Sequence, residues 1–343
     1  MKALRILALL LALCMLLTAC LTNGAATAVS ATYSGGDLPA GVYLYYLATS
    51  TSKVTSALEI YDETVLNETY EGKNAAEWIV NDARESLRTH AVVEAKFAEL
   101  GLSLGEDIIN YADATLSTFW AKYGHEMKQY GIAKSSADLV ILNNIKSDIL
   151  ITALYGEGGE HEISEDELLD YYKENYRRTI LLVMPMANMS EESFAIKERL
   201  FDEYYDRIKN GEDIYDLIIE EYARTGGLTI DETREVFKND TQIQVISRDT
   251  ALPEALIDQI FSTTELDVPQ QYSDGDFNII FEVRDLVRDG FNFNYMRETL
   301  LTKCADEDYR AKLSDWADSI NFVENSAAIE RYQPTRILEV KNK

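Results

Sequence analysis

From residue 39 to about residue 174, apolar positions recur at helical spacing. In "AAEWIVNDARESLRTHAVVEAKFAELGL" the residues Trp78, Ile79, Ala83, Leu87, Ala91, Glu94 and Phe97 follow at steps of one, three and four, which sets one stripe against a charged back. The pattern predicts a long helix that stops at Gly101. "LGEDIINYADATLSTFWAKYG" and "SSADLVILNNIKSDILITALYGEGG" repeat it, each closed by glycine. "ISEDELLDYYKENY" adds a shorter helix with Ser164 and Glu167 at capping-box spacing.

The middle of the chain changes period. "YRRTILLVMPM", 176–186, is an apolar and β-branched run that predicts a strand ending at Pro185. "MSEESFAIKERLFDEYYDRIKNGED" reads as a helix capped by Ser190 and stopped at Asn210-Gly211, and "IYDLIIEEYAR" as a second, before Gly226-Gly227 break the chain. "TQIQVIS" reads as a strand, "LPEALIDQIFS" as a short helix with Pro253 in its first turn, and "YSDGDFNIIFEVRDL" as a turn at Asp274-Gly275 followed by a strand over 277–283. Helical periodicity returns after Gly290. The order is helical, then β-α-α-β-α-β, then helical, without internal repeats, and predicts an α+β protein.

The start of the chain has its own grammar. Lys2 and Arg5 precede the apolar run "ILALLLALCMLL" and the small residues of "TAC", the layout of a secretory signal over residues 1–19. "LTAC", 17–20, resembles the bacterial lipobox, in which the cysteine receives a diacylglyceryl group and becomes the first residue of the mature chain. That implies lipidation at Cys20; a plain secretory peptide or an uncleaved anchor are the alternatives. Residues 20–38 are rich in Ala, Thr, Ser and Gly and predict a flexible tether, with Pro39 opening the folded part.

Charge then narrows the partners. The full sequence carries a formal −27, and loss of residues 1–19 removes Lys2 and Arg5 and no acidic residue. Such a surface excludes nucleic acid as an expected partner, because phosphate binding needs clustered basic side chains, and it favours cationic segments. Of three cysteines, Cys14 leaves with the signal and Cys20 is the lipidation candidate, so Cys304 stands alone and reads as a packed small hydrophobe. His161 lies among Glu157, Glu160, Glu162 and Glu165, which reads as a solvated linker rather than a metal site. No G-x-S-x-G elbow is present, and no cofactor or metal is expected.

The sum of these features resembles the PrsA foldases and the related SurA chaperones. The phrases that carry the likeness are "ISEDELLDYYKENY" before the module, "YRRTILLVMPM" as its first strand, and "IKNGEDIYDLIIEEYAR", with Gly211, Asp213, Leu217 and Tyr222 in register with a family helix. Gly226-Gly227, "LPEALIDQIFS" and "DGDFNIIFEV" follow in the family's order. The resemblance implies a largely helical, SurA-like chaperone domain built from residues 39–174 and 290–343. A parvulin-like α/β module, residues 175–289, would be inserted in it.

Parvulins work with a pair of core histidines lined by apolar side chains. This chain has His90, His125 and His161, and no histidine follows. Aligned on the family, Thr179 and Asn278 stand at the histidine positions and Leu252 and Leu256 at the apolar ones, while the "GGDLG" loop reads "GGLTI". Thr179 and Asn278 could still hydrogen-bond each other across adjacent strands, though without the donor and acceptor pair of a rigid imidazole. The expected function is therefore a folding factor, exported and lipid-anchored to the outer face of the cytoplasmic membrane, that binds unfolded or nascent secreted polypeptides. Its module is expected to be weak or inactive as a prolyl isomerase. An active isomerase is the alternative; a solute-binding lipoprotein is a second, against which the small number of strands counts.

Overall fold

The computed structural model describes residues 28–238, 242–288 and 290–341. The signal segment and Cys20 lie outside them. The fold is α+β and divides into two compact units, Met1–Glu162 with Ala305–Lys343, and Ile163–Cys304.

In the first unit, β1 (Val29–Tyr33) and β2 (Gly36–Pro39) form an antiparallel hairpin, and β9 (Val323–Glu324) pairs with the other side of β1. This corrects the tether expected over 20–38, of which residues 28–38 are ordered here. Ser30, Ala31 and Leu38 are buried, Ser30 Oγ donates to the Leu38 carbonyl at 3.0 Å, and the Asn325 amide donates to the Ser30 carbonyl at 2.8 Å. The local composition is too polar to order itself. A strand from the far end of the chain supplies the missing partner, which no local pattern reveals.

Helix α1 (Ala40–Leu58) starts from Pro39 at its N-cap. After the small β3 (Thr69–Tyr70) and β4 (Lys73–Asn74) ladder, α2 (Ala75–Glu99) is capped by Asn74, whose side chain accepts from the Glu77 amide at 3.2 Å. Its predicted stripe is buried from Trp78 to Phe97, apart from Glu94, which is half-exposed and paired with Lys146 at 2.6 Å. Gly101 follows with φ 64°, the left-handed stop that glycine adopts without strain. Helices α3 (Glu106–Tyr130) and α4 (Lys134–Tyr155) complete the helical layer. Tyr43, Leu47, Ile79, Leu87, Val140 and Ile337 share one apolar core.

In the second unit, α5 (Glu165–Asn175) carries the predicted Ser164–Glu167 capping box and leads into β5 (Tyr176–Pro185). Next come α6 (Glu191–Lys209), capped by Ser190, and α7 (Ile214–Gly226), closed by Gly227 at φ 67°. Then α8 (Ile230–Val236), β6 (Ile243–Ser247), α9 (Glu254–Ser262), β7 (Gln270–Ser273) and β8 (Phe277–Arg284) follow in order. The four strands make one antiparallel sheet in the order β6-β5-β8-β7.

Strand alternation assigns each face. Ile180, Leu182 and Met184 pack with Ile280 against Phe201 and Tyr204 of α6 and Leu217 of α7. Leu181 joins Ile279, Phe281 and Val283 against Leu256 and Ile260 of α9. Sequence periodicity missed α8, whose Thr229–Glu232 capping box lies inside "GGLTIDE", and the four-residue β7. Helix α10 (Phe291–Ala317) runs from the second unit into the residues of the first; α11 (Ser326–Ile329) and α12 (Pro334–Lys341) end the described chain.

Candidate functional site

The two positions aligned with histidines do not meet. Thr179 lies opposite Val283 on β8 and Gln244 on β6, whereas Asn278 lies opposite Met184 on β5 and Ser273 on β7. Five register steps separate Thr179 from Met184, about 17 Å at strand rise. The parity is also opposite: Thr179 shares its side with Leu181 and Phe281, and Asn278 shares its side with Ile280. The register thus rules out a cross-strand hydrogen bond between them. The period of two sends the pair to opposite faces, a relation that depends on the register and not on either strand alone.

Each side chain has a local account. Thr179 is 0 % exposed and its Oγ1 has no hydrogen-bond partner. Asn278 is 7 % exposed, and its Oδ1 accepts from Ser273 Oγ at 2.5 Å. Leu256 is fully buried among Ile246, Ile260 and Phe281. Leu252 packs on the edge of the same cluster and is half-exposed to a neighbouring opening.

That opening is a cavity of about 140 Å³ beside β5. Its walls include Leu181 and Val183 of β5, Ile218 and Tyr222 of α7, Gln244 of β6, and Leu252. Thr179, Asn278 and Leu256 do not line it. The cavity follows from unequal strand lengths: among the described residues β6 pairs only with positions Tyr176 to Ile180 of β5, while β8 accompanies β5 to Pro185. Val183 is 42 % and Tyr222 50 % exposed, so apolar surface reaches solvent at the rim.

The charged group at this cavity is already compensated. Glu221 is buried, and Arg224 Nη2 contacts its carboxylate at 2.6 Å. Those bonds hold the Arg224 guanidinium above its usual range, with burial opposing. A compensated carboxylate and two glutamine amides offer polarity at the rim but no acid and base pair within the cavity. Its chemistry is therefore the seating of an apolar side chain.

Sequence did not single out Leu181 and Val183, and it marked Tyr222 only as a position in register with a family helix, not as part of a cavity wall. The alternation of "TILLVM" places Leu181 and Val183 on one face, but only the early end of the β6 ladder makes an opening there.

No family profile matches the sequence, and no curated protein matches it. Among solved structures, the chain is similar to the foldase protein PrsA from Streptococcus pneumoniae, at 13 % identity and TM-score 0.35, over 80 % of this chain and 93 % of that one. It is also similar to PrsA from Bacillus subtilis, at 14 % identity and TM-score 0.26, over 92 % of each chain. The foldase protein PrsA from Lactococcus lactis is similar at 11 % identity and TM-score 0.34, over 88 % of this chain and 96 % of that one. Likeness at this level assigns no residue a role.

Proposed function

We propose that the chain is an exported folding factor, anchored through a lipid on Cys20, that binds unfolded secreted polypeptides, and that its second unit is a parvulin-like module with little or no prolyl isomerase activity. The observation that carries this reading is the separation of a usable apolar cavity from the residues aligned with catalysis. Prolyl isomerisation has a barrier of ~18–20 kcal/mol, and lowering it needs polar groups placed around the twisted amide. Here Thr179 and Asn278 are buried and face opposite sides of the sheet, whereas Leu181, Val183, Tyr222 and Leu252 offer a place for an apolar side chain.

Binding without much sequence demand suits that geometry. Burying one Val- or Leu-sized side chain contributes about 1.5–3 kcal/mol, enough to hold an unfolded segment weakly and release it. The acidic surface adds attraction for cationic segments. Among the described residues no helix is long and apolar enough to cross a membrane, and the acyl anchor is proposed from the "LTAC" run alone.

Two assays test the reading. The protein should suppress aggregation of a reduced, unfolded secreted protein at near-stoichiometric ratios. It should leave the cis-trans relaxation of a proline tetrapeptide close to the uncatalysed rate. Clear isomerisation that is lost on changing Thr179 or Asn278 would replace the proposal with the active-enzyme alternative.

A further inference from the structure

We propose that a second cavity, between α1, α2 and α4 of the first unit, is a binding site for a basic side chain of a bound polypeptide, arginine above lysine. The proposal rests on the polypeptide-binding reading for its ligand, but its site stands on separate residues. The cavity measures about 230 Å³ and receives Tyr46 from α1, a ridge of α2 from Asp82 to Val93, and Asn143, Asn144 and Ser147 from α4. All its lining side chains except Val93 carry a polar atom, and none is a lysine or an arginine.

Two carboxylates one helical turn apart set the charge. Asp82 accepts from Ser50 Oγ at 2.7 Å through Oδ2, and among the described residues it has no cationic partner. Glu85, at i+3, has none either. The basic residues nearby on α2 are engaged elsewhere, Arg84 with Glu324 at 3.5 Å and Arg88 with Asp318 at 2.9 Å. Lys146 of α4 is held by Glu94 at 2.6 Å.

The wall also holds an unsatisfied polar group. His90 is 1 % exposed; its Nδ1 meets the Tyr46 hydroxyl at 3.0 Å, and its buried Nε2 has no partner. Asn143 Nδ2, donating to the His90 carbonyl at 3.0 Å and to Glu94 Oε1 at 3.1 Å, fixes this part of the wall. The Asp82 and Glu85 carboxylates accept only, and His90 Nε2 accepts as well when Nδ1 carries the proton toward the Tyr46 hydroxyl, so the wall calls for a ligand rich in N–H groups. A metal ion fits poorly, because among the described residues no three His, Cys, Asp or Glu side chains converge. A guanidinium presents five donors in a flat fork and can bridge two carboxylates, which an ammonium does less well. The volume suits one side chain rather than a larger ligand.

The test uses the full-length protein and two fluorescent, unstructured peptides that differ only in one residue, arginine or its uncharged isostere citrulline. Fluorescence anisotropy should show the arginine peptide binding about tenfold more tightly, the worth of one charge-assisted hydrogen bond. The doubly neutralised variant Asp82→Asn/Glu85→Gln, checked for folding by circular dichroism, should erase the preference. Equal affinities for the two peptides, or a preference that survives in the variant, would overturn the proposal. If both peptides bind equally and the unfolded client still stays soluble, only this inference falls and the folding-factor reading stands. If no polypeptide is held at all, that reading falls separately. Titration with Nα-acetyl-arginine amide then decides the site by itself: saturable binding lost in the double variant supports it, and no saturable binding overturns it.

Discussion

Acidification should weaken the first unit through His90, and the size of the effect follows from where the ring sits. Burial, opposed by the Glu94 carboxylate and helped by the Lys146 ammonium, lowers its pKa from 6.5 to about 4. The groups that face it are the Tyr46 hydroxyl, Glu94 on its own helix and Lys146 of α4, with Asp82 and Glu85 on the wall of the same cavity. The folded state binds the proton less tightly than the unfolded state, so stability is complete above the unfolded value and is lost as pH falls toward the folded one. Linkage from these two values gives a loss of about 2 kcal/mol between pH 7 and pH 5, and about 3 kcal/mol once pH drops below 4. Urea unfolding followed by circular dichroism at pH 7 and pH 5 measures the total. The same pair of melts on His90→Gln, which cannot ionise, isolates the histidine. The variant should lose about 2 kcal/mol less on acidification than the parent. An identical pH dependence in both proteins would refute the reasoning, since the acid sensitivity would then belong to other groups.

The remaining predictions concern the second unit. Leu256→Ala, which empties a fully buried position against Ile260 and Phe281, should cost about 2–5 kcal/mol of stability by urea titration. Thr179→Val removes a buried hydroxyl without a partner and keeps the shape, so it should raise stability by about 1 kcal/mol while leaving tetrapeptide isomerisation unchanged. A loss of isomerisation in that variant would instead give Thr179 a part in catalysis. Val183→Asp places a charge on the partly exposed rim beside β5 and should weaken capture of an unfolded client about tenfold with an unchanged circular dichroism spectrum, the client's retained fluorescence anisotropy being the readout.

How far the sequence was legible depends on how local each feature is. The α2 stripe apart from Glu94, the helix stop at Gly101, the Ser164–Glu167 box and the strand ending at Pro185 each draw on residues within a few positions, and each stands in the structure as read. The Thr229–Glu232 box was equally local but was hidden inside a loop motif, so α8 was passed over. Strands β1 and β2 were lost for a different reason. Their residues resemble a tether, and the ladder that orders β1 includes β9, roughly at the other end of the chain.

The candidate site divides in the same way. Composition alone removed histidine from the second unit, and alternation alone placed Leu181 and Val183 on one side of β5. Register decided the rest. Pairing Met184 with Asn278 sent Thr179 and Asn278 to opposite faces, and the end of the β6 ladder at Ile180 opened a cavity next to neither. The gathering of Asp82, Glu85, His90 and Asn143 around another cavity likewise needed α1, α2 and α4 to pack together. Periodicity, caps and charge are properties of neighbouring residues, so the sequence by itself determined most of the elements, the β1–β2 hairpin excepted. Which faces meet is set by contacts between distant segments, and only the folded structure could decide what those faces enclose.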